Sequence, residues 1–506
     1  MKMSEKKHMH WSERLAERVI QEKKEPYVIT AGMTTSGPVH FGTLCEFLFP
    51  SAIKKAIEKK GKECKYYFIA DILDAFDSVP LAMEEYRNQL EPHLGKPLCN
   101  VPDPTGESRS FGDHYLDEAT GLMDKFDVDA EVVRINEYYA AGRFDDYARF
   151  FLEHEGEARK IVEKTSGKEQ KKGWSPLMPV CQNCGRIATT RVLSHKEDEY
   201  EYVCDRDVKY THGCGYRGKN SIQDHRYKIV WRLHWPAWKQ IFNSSIEGAG
   251  IDHHTRGGSE DTCRAITLDL MKKEYHIPYR YGFILFRGKK YSKSKGRGMG
   301  ISEVIKLVPP EIIKYKLFKP DLEENVDINP TSEKMLKTIE DFEGAAGIDS
   351  HSDVSRSERK RAIAFSLSTD EMKWESPFLD ITLYYQLYGD WEKVREMTGD
   401  REGVEYLRPY VEEWVSRNYL PDVYRFSYRP SEPSKHAKEF ISGLEGGMEP
   451  LDIHNAVFEY AKSNSIPPKQ LFAELYQALI GKDRGPKMGK IIHAIGIERL
   501  KKDLGI

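Results

Sequence analysis

The sequence predicts an α/β core whose parallel sheet is split by an insertion, followed by an all-α C-terminal domain. A strand, a helix and a second strand occur in order within residues 27–74, which is the βαβ pattern of a doubly wound domain. Four cysteines cluster near the middle of the chain and indicate an inserted metal-binding segment. Beyond residue 358, almost every segment has helical periodicity.

The first βαβ unit is predicted from three consecutive patterns. Residues 27–31 form a β-branched run typical of a buried strand, and residues 64–74 form a second apolar run. Between them, a turn rich in Gly, Ser and Pro leads into an amphipathic helix over residues 40–59. The chain from residue 80 to residue 173 is charged and mainly helical in pattern.

After the cysteine cluster the α/β pattern returns. Residues 279–288 predict a strand with a strongly basic loop at its exit, and helices follow. Residues 344–358 are typical of a linker or an exposed turn. In the C-terminal helices, Leu471, Leu475 and Leu479 are spaced by four residues and therefore share one helical face.

Length, charge and the N-terminus limit the class of protein. The chain has 506 residues, which is too long for a single hydrophobic core. Its formal charge of −3 excludes a global basic field, so nucleic-acid binding would depend on local patches. The N-terminal residues lack the apolar core of a signal peptide, and no run of about 18 apolar residues occurs. We therefore expect a cytoplasmic protein with no membrane partner.

The cysteine cluster predicts a structural metal site. Cys181 and Cys184 are separated by two residues, Cys204 follows after 19 more and Cys214 after nine more. Two thiolates from one turn and two from a second hairpin can close a tetrahedron around Zn²⁺ and leave no open position. Because the second pair is more widely spaced than usual, His212 is an alternative to Cys214 as the fourth ligand.

A first polar turn suits a phosphate group. The stretch "SGPVHFGT", residues 36–43, lies between a predicted strand and a predicted helix, where backbone N–H groups attract phosphate. Gly37 and Gly42 permit close approach of a ligand to the backbone, and His40 can donate to a phosphoryl oxygen. A capping or packing role at the helix start is the alternative interpretation.

Two further turns suit the rest of a nucleotide. "GAGIDHHTRGGSED", residues 248–261, places Asp252 and paired histidines where a sugar hydroxyl pair could bind, although a polar turn with capping side chains has the same composition. "RGKKYSKSKGRG", residues 287–298, is a lysine-rich loop between glycines. Such a loop can close over a triphosphate and stabilise the charge on leaving pyrophosphate; a solvated charge run is the alternative.

The order of these segments resembles a class I aminoacyl-tRNA synthetase. "HFGT" stands where that class has its His-Ile-Gly-His signature, and "KYSKS" differs at one position from its Lys-Met-Ser-Lys-Ser loop. Longer segments are similar to class I lysyl-tRNA synthetase, among them "VPDPTGESRSFGDHY", "PLMPVCQNCGRIATTRV", "VWRLHWPAWKQ" and "LFAELYQALIGKDRGPKMGKIIHAIG". The similar segments extend from about residue 26 to residue 503.

The resemblance implies a lysine–tRNA ligase with a Rossmann-type catalytic core, a zinc-binding insertion and an α-helical anticodon-binding domain. The implied domains are an N-terminal helix (1–25), the first half of the Rossmann catalytic domain with a helical insertion (26–165), the zinc-binding insertion (166–224), the second half of the Rossmann domain (225–300), stem-contact helices (301–342) and the anticodon-binding domain (343–506). The implied partners are tRNA(Lys), lysine and ATP, with Mg²⁺ carried by the nucleotide and Zn²⁺ in a structural role. A monomer is the favoured oligomeric state.

The resemblance also implies a role for individual residues. Catalysis at the ATP phosphates is assigned to His40, Thr43, Lys290 and Lys293. The ATP-binding set comprises Ser36, Gly37, His40, Gly42, Asp252, Ser292 and Lys293. The lysine-binding set comprises Gly32, Thr34, Trp231, His253 and Tyr281.

Three departures from the family pattern concern the lysine site. "WRLHWP" has His234 in place of an acidic residue, "ADILDAFDSVP" keeps Asp71 and Asp74 but loses basic residues, and "GIDH" replaces Gly-Lys-Asp-His. A buried ammonium group without a carboxylate or an aromatic face is costly. Aromatic residues of the site could supply cation–π contact, and Glu46 or Asp71 could supply the charge.

Two other functions remain open, and two basic loops are candidates for tRNA contact. His234 favours a class I synthetase or paralogue that acts on another amino acid, and a non-catalytic tRNA-binding homologue is the third hypothesis. The glycine-containing basic loops "GKEQKKGW" (167–174) and "GKDRGPKMGK" (481–490) suit phosphate contact. Each loop could equally be solvated surface.

Overall fold

The chain forms two compact units. The computed structural model describes residues 9–290, 299–349 and 354–506. The first unit comprises the chain up to residue 301 together with residues 316–328, and the second comprises residues 302–315 and 329–506.

A five-stranded parallel sheet is the centre of the first unit. Its strands are β1 (Tyr27–Met33), β2 (Cys64–Ala70), β3 (Glu131–Arg134), β11 (Ile246–Gly250) and β12 (Ile277–Tyr281). They lie side by side in the order β12-β11-β1-β2-β3, and every neighbouring pair is parallel. The chain thus builds outward from β1 on one side, leaves the sheet, and returns to build outward on the other side. This confirms the predicted parallel sheet split by an insertion.

Nine helices are described in the first unit before residue 290. They are α1 (Trp11–Glu22), α2 (Phe41–Glu58), α3 (Arg87–Leu90), α4 (Phe111–Lys125), α5 (Ile135–Ala140), α6 (Asp145–Glu153), α7 (Glu155–Ser166), α8 (Trp231–Ile241) and α9 (Ser259–Ala265). Helix α2 connects β1 to β2 and buries most of its residues against the sheet, which explains why its sequence is apolar on nearly every face. The helix predicted over residues 40–59 is confirmed, with His40 as the residue that caps its N-terminus, but its predicted amphipathic character is wrong because most of its residues are buried.

Two predicted strands are wrong in extent. The second strand ends at Ala70: the Asp71 N–H makes the last hydrogen bond to β1, to the Met33 carbonyl, and a turn follows over residues 72–73. The single strand expected over residues 279–288 is broken into β12 and β13 (Ile284–Phe286), which belong to different sheets. The break occurs at Gly282, whose N–H donates to the Leu322 carbonyl and where an added Cβ would lie 2.5 Å from a backbone oxygen of Glu324.

Short sheets, antiparallel except for the parallel pair of β13 with β15, contain the remaining described strands of the first unit. Between β3 and β11 the chain forms β4 (Leu177–Pro179), β5 (Thr190–Lys196), β6 (Glu199–Cys204), β7 (Asp207–Val208), β8 (Thr211–His212), β9 (Arg217–Ser221) and β10 (Tyr227–Ile229). Strand β6 pairs with both β5 and β9, while β10 pairs with β4 and β7 pairs with β8. Strand β13 lies between β14 (Lys289–Lys290) and β15 (Val326–Asp327).

The second unit is helical. The helices after residue 300 are α10 (Ile301–Leu307), α11 (Pro310–Phe318), α12 (Glu333–Glu343), α13 (Arg356–Ser368), α14 (Phe378–Tyr388), α15 (Trp391–Thr398), α16 (Arg401–Ser416), α17 (Lys435–Ser442), α18 (Pro450–Ser463), α19 (Pro468–Ile480), α20 (Met488–Ile495) and α21 (Ile497–Asp503). Leu471, Leu475 and Leu479 are fully buried on α19, as their spacing predicted. In the described parts of the chain, every helix is too short or too polar to cross a lipid bilayer.

Candidate active site

The carboxyl ends of three neighbouring strands bring the predicted lysine-site residues to one edge of the sheet. Gly32 is the second-last residue of β1, and Thr34 directly follows that strand. His253 follows β11, and Tyr281 ends β12. The strand order reverses between β1 and β11, and ligands of open α/β sheets bind outside the carboxyl ends at such a point. Trp231 begins α8, and its indole N–H lies 3.4 Å from the Ser259 hydroxyl oxygen at the start of α9.

The turn between β1 and α2 holds the first predicted phosphate site. His40 Nδ1 accepts a hydrogen bond from the Thr43 N–H at 3.1 Å, so the imidazole caps the helix as the alternative interpretation proposed. An added Cβ at Gly42 would lie 2.9 Å from His40 Cε1, and only glycine leaves that space free. Ser36 is half-buried and Gly37 is buried in the same turn.

A contact between Asp252 and Lys290 joins the second and third predicted turns. Lys290 Nζ lies 2.5 Å from Asp252 Oδ2 and 4.1 Å from the centre of the Phe283 ring. Both charged side chains remain 54% exposed, which leaves them accessible to a ligand. Ser292 and Lys293, the other loop residues predicted to contact ATP, lie outside the described residues.

Glu46 reaches from α2 to the end of β12. Its carboxylate accepts a hydrogen bond from the Tyr281 hydroxyl group. Burial raises the pKa of Glu46 to about 8, against the opposing effect of that hydrogen bond. Part of the residue is accessible, and no cation among the described residues lies in hydrogen-bond contact with its carboxyl. A cationic ligand group could therefore pair with it.

Asp71, the other carboxylate considered for the lysine site, has an internal partner. Lys228 Nζ lies 2.7 Å from Asp71 Oδ2 and 2.8 Å from Asp74 Oδ1, with no exposed surface on the lysine side chain. Burial opposes ionisation of Asp71, yet Lys228 outweighs it and holds the pKa of Asp71 well below its usual range. Thr34 donates to the other oxygen of Asp74 at 3.1 Å. The Lys228 ammonium therefore orients the segment after β1 and already gives the buried Asp71 carboxylate an internal partner.

His234, which replaces an acidic residue of the family, is inside the core. It has no exposed surface, its Nδ1 lies 3.6 Å from Asp71 Oδ2, and its ring lies 5.2 Å from that of Trp238. Burial lowers the pKa of His234, so the imidazole is neutral at physiological pH. The substitution therefore changes the surroundings of Asp71 and removes no charge from the accessible edge of the sheet.

A stack of tryptophans anchored to Glu247 supports the site, and sequence reasoning missed it. Trp231 stacks on Trp235 with ring centres 5.4 Å apart and planes at 16°. The Trp235 indole N–H donates to Glu247 Oε1 at 2.6 Å, and the Trp238 indole N–H donates to Oε2 at 3.3 Å. At Gly32, an added Cβ would lie 3.4 Å from Trp238 and 2.6 Å from a backbone oxygen of β2, so glycine is required there.

Lys239 is a second missed residue, directly behind this stack. Its Nζ lies 3.4 Å from Glu247 Oε2, 3.0 Å from His276 Nε2 and 4.1 Å from the centre of the Trp235 ring. Only 2% of Lys239 is exposed. The sequence did contain a signal for Lys239, because it is a charged residue on the apolar face of an amphipathic helix. A charged residue in that position nearly always has an internal partner.

The four predicted cysteines converge on one point in the inserted strands. The Sγ atoms of Cys181, Cys184, Cys204 and Cys214 all lie within 4.8 Å of one another. Two of the separations are 3.7 and 3.8 Å, close to the edge of about 3.8 Å expected for a tetrahedron with metal–sulfur bonds of about 2.3 Å. An added Cβ at Gly213 would lie 2.3 Å from the Cys204 carbonyl oxygen, so this glycine lets Cys214 fold back. His212 is not in the group.

A family model and two curated relatives indicate the same protein family for this chain. A family model described as "tRNA synthetases class I (K)" matches residues 9–370. A lysine–tRNA ligase of Archaeoglobus fulgidus is 30% identical over 98% of this chain and 99% of its own length. One of Thermoplasma acidophilum is 25% identical over 95% of this chain and 96% of its own.

Among solved structures, a glutamate tRNA ligase from Elizabethkingia meningosepticum covers 95% of this chain and 99% of its own at 12% identity and a TM-score of 0.44. That likeness is too low to add to the assignment. The family model covers well over half of the chain and the Archaeoglobus relative covers nearly all of it. The chain therefore belongs to the family of class I lysyl-tRNA synthetases.

Proposed function

We propose that this chain is a lysine–tRNA ligase, which activates lysine with ATP and transfers it to the terminal adenosine of tRNA(Lys). The single observation that carries the proposal is the Lys290–Asp252 contact, because it brings the start of the lysine-rich loop to the carboxyl edge of the sheet. The curated relatives named lysine–tRNA ligase, which match along nearly the whole chain, support the same function.

In the first step, a carboxylate oxygen of lysine attacks the α-phosphorus of ATP. The new P–O bond forms as the bond to pyrophosphate breaks, giving lysyl-adenylate and pyrophosphate. Lys290 and Lys293 would stabilise the negative charge that develops on the leaving group. ATP phosphates would compete with Asp252 for Lys290, and the released Asp252 carboxylate could then accept hydrogen bonds from the ribose hydroxyls. Mg²⁺ bound to the nucleotide would neutralise part of the phosphate charge.

In the second step, a ribose hydroxyl of the terminal adenosine attacks the acyl carbon of the adenylate. The ester forms as AMP leaves, and the proton of the hydroxyl is lost to the departing phosphate or to water. No protein nucleophile is required. Gly37, Gly42 and the start of α2 would position the nucleotide, so catalysis rests on orientation and on charge stabilisation.

Glu46 is the carboxylate that we assign to the side-chain ammonium of the lysine substrate. Asp71 is paired with Lys228, whereas the Tyr281 hydroxyl is the only side-chain group among the described residues in hydrogen-bond contact with the Glu46 carboxyl. Trp231, half-buried at the start of α8, offers an aromatic face to the alkyl chain and the cation. A carboxylate placed to meet the side-chain ammonium favours lysine over amino acids with neutral side chains.

Pyrophosphate exchange with each of the standard amino acids tests the function as a whole. Lysine should support exchange at a rate well above that of every other amino acid. A higher rate with another amino acid would identify the alternative synthetase or paralogue. Binding of tRNA with no exchange for any amino acid would identify a non-catalytic homologue.

The cysteine group fits a structural Zn²⁺ site. Four thiolates at tetrahedral spacing are a donor set that zinc prefers, and they leave no coordination position for substrate. Thr189 and the Cys214 N–H both contact Cys204 Sγ, at 3.2 and 3.4 Å, and would stabilise the thiolate charge. Zinc here would connect the turn after β4 to the end of β6.

We expect Lys293→Ala to lower the rate of lysine-dependent pyrophosphate exchange by about 10²–10³-fold, because a cation that stabilises the leaving group is lost. The KM for lysine should change little. Lys219→Ala, which removes an exposed lysine from β9, is the matched control and should exchange at the normal rate. An unaltered rate in the Lys293 variant would refute its role.

We expect the KM for lysine to fall as pH rises from about 6 to about 8. Since the pKa of Glu46 is raised to about 8, the free enzyme holds a proton there that must leave before an ammonium group binds, at a cost of about tenfold in KM per pH unit below the pKa. In Glu46→Gln, KM should be about 10–100-fold higher and independent of pH over this range. Exchange kinetics over the pH series measure both effects, and a flat wild-type profile would contradict the assignment.

We expect the purified chain to carry Zn²⁺ in a one-to-one ratio, measured by inductively coupled plasma mass spectrometry. Cys204→Ser should lose the metal and unfold at a lower temperature, because metal binding stabilises the fold that forms the site. Cys99→Ser, which changes a half-buried thiol outside the group, should retain it. Retention of full zinc content by the Cys204 variant would contradict the proposed ligand set.

A further inference from the structure

A cavity of about 920 Å³ lies at the amino ends of the parallel strands. Its wall includes Val28 near the start of β1, Lys65 near the start of β2 and Ser245 directly before β11. The candidate active site lies at the carboxyl ends of the same sheet. Because β1 has seven residues, each rising about 3.3 Å, the two edges of the sheet are about 20 Å apart. The cavity is therefore separate from the candidate active site, and its size is typical of a site for a small organic ligand.

The acidic side chains on the wall of this cavity all have cationic partners within the chain. The pairs are Glu22 with Arg18 at 2.9 Å, Glu25 with Lys62 at 2.8 Å, Glu137 with Arg134 at 3.0 Å and Glu274 with Lys23 at 2.7 Å. Three of the four cationic partners lie outside the wall itself. The negative charge of the glutamates is therefore compensated from behind the wall, and the cations that line the cavity are not needed for it.

Three exposed cations line the cavity and make no ion pair with any residue that the structure describes. They are Lys24 after α1, Lys65 in β2 and Arg143 after α5. Lys239 also lines the cavity, but its ammonium group is buried and lies 3.4 Å from Glu247. Ammonium groups and a guanidinium fork bind phosphate oxygens through charge-assisted hydrogen bonds. Three such groups from three elements exceed what one carboxylate needs and match a ligand with more than one phosphate.

An aromatic cluster forms another part of the wall. The ring of Phe242 is buried, and the half-buried rings of Tyr67 and Tyr138 pack on it with ring centres 5.3 and 4.9 Å away. Neither tyrosine hydroxyl makes a hydrogen bond with a described residue. Burial raises the pKa of Tyr138, and the nearby Arg143 guanidinium opposes that effect, so aromatic surface and positive charge lie side by side. Aromatic rings pack against planar ligands, and their free hydroxyls can bond sugar hydroxyls.

We propose that this cavity binds a nucleoside diphosphate, with the base on Tyr67 and Tyr138 and the phosphates on Lys65, Arg143 and Lys24. An inorganic anion would leave the aromatic wall without a contact, and an uncharged aromatic compound would leave the cations without one. A nucleotide uses both. Stacking on aromatic rings tolerates every base, so the cavity selects for the diphosphate and not for one base. The site lies at the opposite edge of the sheet from the ATP site of the proposed function and does not depend on that function.

Equilibrium dialysis of the full-length protein against radiolabelled ADP tests the proposal. A stable lysyl-adenylate analogue is present at saturating concentration, so that ADP cannot enter the candidate active site. We expect ADP to bind at one site per chain. In competition, AMP should bind about tenfold more weakly than ADP, and adenosine about tenfold more weakly again, because each lost phosphate removes charge-assisted hydrogen bonds.

Variants of the wall give the second measurement. Arg143→Ala and Lys65→Ala should each weaken ADP binding about tenfold, because each removes a phosphate contact. Tyr138→Leu keeps an apolar side chain but loses the ring, and it should weaken ADP about tenfold while leaving pyrophosphate binding unchanged. Lys125→Ala, which removes an exposed lysine at the end of α4, is the matched control and should bind ADP like wild type. A cooperative thermal transition followed by circular dichroism shows that each variant is folded.

Absence of ADP binding to the wild-type protein would overturn the proposal, as would equal ADP affinity in wild type and in both cation variants. Pyrophosphate that binds as tightly as ADP, with both ligands indifferent to Tyr138→Leu, would also overturn it by identifying a site for an inorganic anion only. If the adenylate analogue failed to bind, the proposed function would be contradicted. The dependence of ADP binding on Arg143 and Lys65 would still decide whether the cavity is a nucleotide site, because neither residue belongs to the candidate active site.

Discussion

The parallel pairing of β1 with β11 is the constraint on which the candidate active site depends. Ile29 lies opposite Ile246 and Thr30 opposite Glu247, so two segments more than 200 residues apart share one register. This pairing sets the carboxyl ends of β1, β11 and β12 side by side. A slip of one residue would turn Thr30 and Glu247 away from their shared contact and move the turns that follow both strands.

Two buried charge clusters hold the register and the site together. Glu247 binds the hydroxyl of Thr30, two indole N–H groups and Lys239, while Lys228 binds Asp71 and Asp74. A buried ion pair is weak support for stability as such, but removal of one partner leaves a charge unpaired at a cost of about 3–5 kcal/mol. The clusters therefore raise the free energy of any conformation in which the tryptophans of α8 or the segment after β2 are out of place, because a buried charge would then lose its partner.

Sequence patterns predicted those helices and strands whose ends are set by residues close by in the sequence. Strand β1, helix α2 with His40 at its start, and the apolar face of α19 were all expected from periodicity and turn residues. The break at Gly282 was not, because it is caused by the chain around residue 323. Lys228 was missed for the same reason, since its partner Asp71 is 157 residues away in sequence. The choice between His212 and Cys214 required the fold-back at Gly213, which spacing alone does not show.

In the proposed function, Glu46 and the Lys290 turn bind one ligand from two sides. A crystal structure with a stable lysyl-adenylate analogue measures this most directly. We expect the side-chain nitrogen of the analogue to lie within hydrogen-bond distance of the Glu46 carboxylate. We also expect the phosphate of the analogue to lie closer to Lys290 Nζ than the Asp252 carboxylate does. An ammonium group bound elsewhere, with Glu46 still paired only to Tyr281, would contradict it.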